Sequence, residues 1–495
     1  MDSEGWFHGK SLVYHGLGPL EAHMFYHCMP ISVIVALHYG EEVERHIEKE
    51  WGTKVFSYEK MNGLRLNDSA DYHNHFYHDH GREIADCLGT LGGEVCFVPF
   101  SPSTATHEFL FKHARFCRHM QNLKIVQDYF EFKTRLALET KKIGIPMLPD
   151  SLVLNLNELE YRKLVDEFES GFVVQVPLSA EGSGADFVFN EDDFERVVAL
   201  KRHQLGGAFS ETQVRITPFL SGPSMNCAGC VVNGAVALSQ PDTRIVGDPH
   251  FAKTQGQYTG SDFTVHALSS EQRRLVFDVT ERIGGWMGSH GYRGNFGVEF
   301  LSTVDSENRI KDIYVSEVNA RLVAESQYMT DSQAMKDCVP LTFFHLAEWS
   351  GIQEITPAHV REYNDALPEL EGSALILYSR DRGTFQAEGG ITAGVYRYED
   401  GAIRRVRDGY LLSQTENSEE FVITAGVPWK GLVLGHPRYG DDNVYTCSIL
   451  TRESIVDPHN YRVISEKWRE IADTTYEALG LVPCEPRLLL KEKSA

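Results

Sequence analysis

Two extended runs about a polar turn constrain this chain more than any other stretch: Tyr292-Arg293-Gly294-Asn295-Phe296-Gly297-Val298-Glu299-Phe300, then Tyr314-Val315-Ser316-Glu317-Val318-Asn319-Ala320-Arg321. Side chains alternate along a strand, so Glu317, Asn319 and Arg321 share one face if the extended run continues through Arg321. The segment Ser302 to Lys311 has turn chemistry, and folding the chain about its middle sets Glu299 opposite Glu317. Two carboxylates and an amide oxygen, with no thiol or imidazole beside them, suit a hard cation such as Mg2+ that leaves room for phosphate oxygens and water. Taken alone, a Glu-x-Asn hairpin reads better as a solvated acidic face, so the rest of the chain has to decide.

At 495 residues the chain exceeds one ordinary core, and typical domain sizes of ~100–200 residues imply about three domains. A count of 47 Lys plus Arg against 70 Asp plus Glu leaves a net charge of −23. That charge argues against nucleic-acid and anionic-membrane partners. The longest apolar run, Met29 to Leu37, is far shorter than the ~18–20 residues that span a bilayer, and no basic-then-apolar leader opens the sequence. The expected location is cytoplasmic. The 9 Cys are odd in number and scattered, as expected of reduced thiols. Cys227-Ala-Gly-Cys230 lacks the second ligand pair of a zinc site. His73, His75, His78 and His80 crowd one stretch, which reads as a solvated loop or a pocket wall before a transition-metal site.

The first ~120 residues alternate strand-like runs (Ile31 to Leu37, Val95 to Phe100) with helix-like stretches, the pattern of an α/β unit. Gly16-Leu17-Gly18 is too little for a dinucleotide fingerprint and reads as a turn. A helix-like segment from Lys124 to Lys142 stops at Gly144-Ile145-Pro146. Strands at Phe172 to Val176, Ala185 to Phe189 and Gln213 to Leu220 surround a helix-like run, Asn190 to Arg202. Ser270 to Met287 is an amphipathic helix with Leu275, Val276, Val279, Ile283, Trp286 and Met287 on one stripe. Beyond Gly351 the chain is β-rich (Ala374 to Tyr378, Gly394 to Tyr398, Glu420 to Thr424, Val444 to Leu450), ending in a helix from about Tyr461 to Leu479.

Lys133 on a helix before a Gly-x-Pro turn, a Gly/Ser-rich strand connector, a strand ending Phe219-Leu220-Ser221-Gly222, and then the carboxylate hairpin follow one another along the chain. In order and spacing they resemble the ATP-grasp superfamily over roughly residues 120 to 350, most specifically at Glu-x-Asn-x-Arg after a Gly-x-Glu-Phe strand. The resemblance implies an α/β (α+β) fold: an N-terminal α/β pre-ATP-grasp domain (1–120), an ATP-grasp domain (121–350, small lobe about 150–222, metal-binding lobe about 223–350) and a C-terminal β-rich lobe with a terminal helix (351–495).

Carried over residue by residue, the resemblance makes Glu299, Glu317 and Asn319 the Mg2+ ligands, with Mn2+ as a substitute ion, and ATP the nucleotide. It makes Lys133, 11 residues before Gly144, the first phosphate-contacting lysine. Ser179, Gly182, Ser183 and Gly184 match the loop that closes over the phosphates, where small residues let backbone N–H groups approach anionic oxygens. Arg321 matches the cation that holds the substrate carboxylate or its acyl phosphate, a role its planar fork suits; Arg293 is a second carboxylate anchor, with a structural ion pair as the competing reading. Two positions depart from the pattern. Gln175 stands where the second lysine belongs, and at the adenine hinge Thr217 replaces an acid while Pro218 has no N–H, leaving the Phe219 and Leu220 backbone to read the base.

The implied reaction activates a carboxylate as an acyl phosphate and couples it to an amine, forming an amide or peptide bond. The expected partners are small-molecule acids and amines (an amino acid, a peptide or a specialised metabolite), and the expected assembly is a homodimer. A biotin-carboxylase-like or acyl-thiol-forming enzyme is the second reading, weakened by the lack of a Met-Lys-Met biotin motif. A nucleotide-binding protein without chemistry is the third.

Overall fold

The computed structural model describes residues 5–63, 65, 69–145, 151–178, 184–435 and 444–485, with the backbone alone for 69–75. Strands β1 (Lys10–Gly16), β2 (Ile31–Ala36), β3 (Lys54–Ser57), β4 (Glu94–Pro99) and β5 (Arg118–His119) form a parallel sheet in the order β3-β2-β1-β4-β5. Both faces are covered, which is why these strands read as unbroken apolar runs. Leu12 and Tyr14 enter one core, and Val13 between them enters another. Strand order reverses between β1 and β4, where open α/β sheets form a crevice. The turn expected at Gly16-Leu17-Gly18 is a bend that follows directly on β1. A Cβ at Gly16 would lie 2.3 Å from Glu21 Oε2 and from the Tyr14 hydroxyl, so only glycine fits there.

The single helix expected over 124–142 is two, Lys124–Glu131 and Lys133–Lys142, broken at Phe132. The Lys133 N–H donates instead to the Pro177 carbonyl (2.9 Å), a tertiary bond that ties the start of the second helix to the next sheet. That sheet is antiparallel, with β6 (Leu152–Asn155), β7 (Phe172–Gln175), β8 (Ala185–Val188) and β9 (Gln213–Pro218) in the order β6-β9-β7-β8. Phe172, Val174, Val214 and Ile216 pack on Val197 of the helix Glu191–Leu205. The alternate residues Val173, Gln175, Arg215 and Thr217 therefore line the opposite face.

The largest sheet, with 11 strands among the described residues, includes β10 (Ser224–Val232), β11 (Ala235–Leu238), β12 (Asp242–Val246), β13 (Tyr258–Asp262), β14 (Gly294–Val304), β15 (Ile310–Asn319) and β16 (Ser373–Tyr378). Pairing of β13 with β16 carries it into the C-terminal strands, so the boundary expected at 350 does not interrupt the sheet. The helix Ser270–Ser289, capped by Ser269 and Gln272, buries Val276, Val279, Ile283, Trp286 and Met287, while Leu275, expected in that stripe, is 41% exposed at its margin. The final helix begins at Glu466 rather than Tyr461, because Asn460–Ile464 pairs as a strand with Val456–Asp457. Among the described residues no helix is long and apolar enough to cross a membrane.

Candidate functional site

The hairpin β14–β15 sets Glu299 across from Glu317 and Gly297 across from Asn319. The ladder slips next to this pair, with Phe300 opposite Val315, which leaves Ser316 as the extra residue of a bulge. Bulges commonly re-aim side chains beside active sites. Asn319 Nδ2 donates to Glu299 Oε1 (2.8 Å). The strand ends at Asn319, yet Arg321 remains beside it, with Nη2 donating to Asn319 Oδ1 (2.7 Å) and Nε 3.5 Å from Glu131 Oε1.

Each carboxylate has its own cation. Lys133 Nζ pairs with Glu317, and Arg244 Nη1 pairs with Glu299 while its Nη2 donates to Glu325 Oε2 (3.3 Å). Asn226 Nδ2 also donates to Glu325, and the Arg244 guanidinium lies 4.5 Å from the Tyr258 ring centroid. Burial pushes both Glu299 and Glu317 toward the neutral form. At Glu317 burial is opposed by the Lys133 ammonium, with Arg215 and Arg244 adding to it, and the three cations together hold the carboxyl below its ordinary range. At Glu299 burial and the neighbouring Glu317 outweigh Arg244 and raise it. The two carboxyls are thus shifted in opposite directions, Glu317 down and Glu299 up.

On the small sheet Gln175 faces this hairpin, its Oε1 accepting from Arg215 Nε (2.8 Å). Arg215 Nη1 donates to the Ser316 carbonyl (2.7 Å), which joins the two sheets. Thr217 is buried on the same face, opposite Val173. The hinge departs from expectation at Phe219: its N–H is spent on the Gly171 carbonyl (3.0 Å), so it is not open to a base. The Phe219 ring packs edge-on against Phe189 (5.0 Å between centroids), with the Arg462 guanidinium 5.6 Å from its centroid. Leu220 follows, partly exposed. Gly184 accepts from the Val176 N–H (3.0 Å); Ser179, Gly182 and Ser183 lie outside the described residues, as do Pro146 and the side chains of His73 and His75.

Arg293 does not reach the site. It precedes β14, six residues from Glu299, or ~20 Å at ~3.3 Å per residue. Its guanidinium is committed to the Glu348 side chain and carbonyl and stacks over Trp349. These contacts form a structural ion pair away from the hairpin carboxylates. Cys227 and Cys230 point to opposite faces of β10 and enter different cores, an arrangement no single metal ion can bridge.

Arg215, Arg244 and Glu325 join the site without belonging to any motif. For Arg215 the trace in the sequence is a charge between two β-branched residues, Val214-Arg215-Ile216, on the inward face of a strand. For Glu325 it is one more acid, four residues past Arg321.

No protein-family model matches the chain, and no curated protein matches it in sequence. Solved structures do. The biotin carboxylase domain of Hydrogenobacter thermophilus 2-oxoglutarate carboxylase, in complex with MgADP, ADP and bicarbonate, is similar at a TM-score of 0.56 and 14% identity, covering 90% of this chain and 86% of that one. Campylobacter jejuni biotin carboxylase follows at 0.55 and 13%, covering 90% and 87%. Phosphoribosylamine–glycine ligase from Thermotoga maritima scores 0.52 at 14% identity, covering 95% and 97%. The arrangement of sheets about the hairpin is that of the ATP-grasp fold, and this chain has it.

Proposed function

We propose that the protein is an ATP-dependent ligase that activates a carboxylate as an acyl phosphate and couples it to an amine, releasing ADP and phosphate. The observation that carries this reading is the convergence of Glu299, Glu317 and Asn319 from one hairpin with Lys133 from a helix and Arg321 from the end of β15. The donor set is all oxygen and fits a hard ion, and two carboxylates set directly across the hairpin ladder gain from a cation shared between them. Glu299, Glu317 and Asn319 would hold Mg2+, which when bound neutralises charge on the phosphoryl oxygens.

The protein's own residues position and exclude. Lys133, released from Glu317, is placed to hold phosphate, and Arg321 to hold the acid in two-point fashion. The substrate carboxylate oxygen attacks the γ-phosphorus and ADP leaves. The amine nitrogen then attacks the acyl carbon, the C–O bond to phosphate breaks, and the departing phosphate takes the amine's proton. Rate in such a site comes from positioning and electrostatics in a water-poor cleft rather than from a covalent nucleophile.

Phosphate release from ATP and Mg2+ across a panel of acids and amines, compared with Glu317→Gln, tests this. Stimulation by an acid–amine pair, abolished in the variant, is expected. If no pair stimulates release and nucleotide binding needs no metal, the ligase reading fails and a non-catalytic binder remains. The likeness to biotin carboxylases favours a second reading, bicarbonate-dependent carboxylation, and an arm with bicarbonate and free biotin separates it. The proposal includes a homodimer, checked by sedimentation.

A further inference from the structure

Arg215 has more donors than the folded chain uses. It sits within β9, with none of its side chain exposed. Nε goes to Gln175 Oε1 and Nη1 to the Ser316 carbonyl, but Nη2 is buried without a hydrogen-bond partner among the described residues. Burial pulls the guanidinium down to about 10, against the opposing pull of Glu317, whose charge is already shared with Lys133. A buried donor left unpaired costs ~1–3 kcal/mol, more when charged. Bridging to the Ser316 carbonyl alone calls for only a neutral donor, so that bridge leaves both the charge and the idle Nη2 unexplained.

The ladder supplies the context. Gln175 and Arg215 are directly opposed on β7 and β9, on the face turned to the hairpin. The carboxamide oxygen of Gln175 is engaged by Nε, which turns its NH2 group away from Arg215 and fixes the guanidinium in place. Ser316, the acceptor of Nη1, is the bulge residue next to Glu317. The cation therefore stands between the small sheet and the proposed metal ligands, and the Lys133 N–H is bonded to the carbonyl of Pro177, two residues past Gln175.

We propose that Arg215 is the second phosphate-binding cation of this site, standing one strand across from Gln175, with Gln175 as its positioning residue and a nucleoside polyphosphate as its ligand. This rests on the nucleotide reading above. A phosphoryl oxygen satisfies Nη2 and competes with the Ser316 carbonyl for Nη1, so binding and the contact between the two sheets are linked. The planar guanidinium fork can hold two oxygens in a fixed geometry, where a lysine at 175 would act as a point charge.

The experiment is calorimetric titration of the full chain with MgADP and with adenosine, for wild type, R215M and the transposed double variant Q175K/R215M. The expected result is a loss of tenfold or more in MgADP affinity in R215M, adenosine affinity unchanged, and recovery to within threefold of wild type when the charge is returned on position 175. MgADP affinity within threefold of wild type in R215M overturns the proposal, and so does a loss that the double variant does not recover. Should R215M fail to fold by circular dichroism, R215Q, which keeps a polar end near Ser316, takes its place in both pairs. Failure of wild type to bind MgADP is a different outcome: it removes the nucleotide reading, and the assignment of Arg215 with it.

Discussion

Breaking the Lys133–Glu317 pair separates its structural role from its proposed role with ligand. The side chains are 7% and 22% exposed. Removing one partner of a fully buried pair costs ~3–5 kcal/mol, chiefly because the other charge is stranded. Here Glu317 touches solvent and has Arg215 and Arg244 nearby, so Lys133→Met should cost less, about 1–3 kcal/mol. Neutralising the stranded carboxylate as well, in K133M/E317Q, should recover most of that loss. Urea denaturation of wild type, both single variants and the double variant gives the coupling energy, expected at about 1–2 kcal/mol against the ~0.3–0.5 kcal/mol scatter of independent sites. Ligand binding should behave oppositely. If Lys133 leaves Glu317 for phosphate and Glu317 takes a metal, MgADP affinity falls in each single variant and is not restored in the double. Additive stabilities would refute the pair; affinity restored along with stability would refute the separate ligand roles.

Three further outcomes follow from the same geometry. Mg2+ alone should bind only at millimolar concentration or above, because Lys133 and Arg244 already neutralise Glu317 and Glu299, and MgADP should bind far more tightly; calorimetry showing micromolar Mg2+ affinity without nucleotide would contradict this. Arg293→Met should leave MgADP affinity unchanged and cost at most ~1 kcal/mol, its partner Glu348 being reached from a half-exposed guanidinium; a tenfold loss of affinity would return Arg293 to the site. Glu21 is raised by burial to about 7, while one oxygen accepts from the Tyr14 hydroxyl (2.8 Å) and the Leu17 N–H (2.9 Å). A carboxyl with a raised folded-state value favours folding fully below about 4.5 and loses that contribution as pH climbs through about 7. Glu21→Gln, whose amide oxygen can accept both bonds, should therefore match wild type near pH 4 and exceed it by about 2–3 kcal/mol near pH 8; denaturation curves that differ equally at both pH values would refute the shift.

Local chemistry made much of the architecture legible in the sequence. Period-two alternation and a polar turn were enough for the β14–β15 hairpin and the Glu299–Glu317 register, because each is set by neighbours in the chain. The capped helix Ser270–Ser289 was legible for the same reason, apart from Leu275, whose place at the edge of the stripe depends on where the sheet ends. The break at Phe132 was not, since the bond that replaces the helical one comes from Pro177. Nor was the strand Asn460–Ile464, which exists only because Val456–Asp457 lies beside it.

The site divides in the same way. The resemblance to ATP-grasp proteins, carried by residue types and their order along the chain, singled out Lys133, Glu299, Glu317, Asn319 and Arg321 together with Gln175, and it marked Gln175 as the place where a charge is lacking. It could not show that Arg215 stands across the ladder from Gln175, that Arg244 and Glu325 lie behind Glu299, or that Arg293 is spent on Glu348. Charge balance in a buried cleft is a sum over strands far apart in sequence. Pairing of β7 with β9, and of β10 with β12 and β14, is what brings those charges within a few ångströms and sets which cation faces each carboxylate.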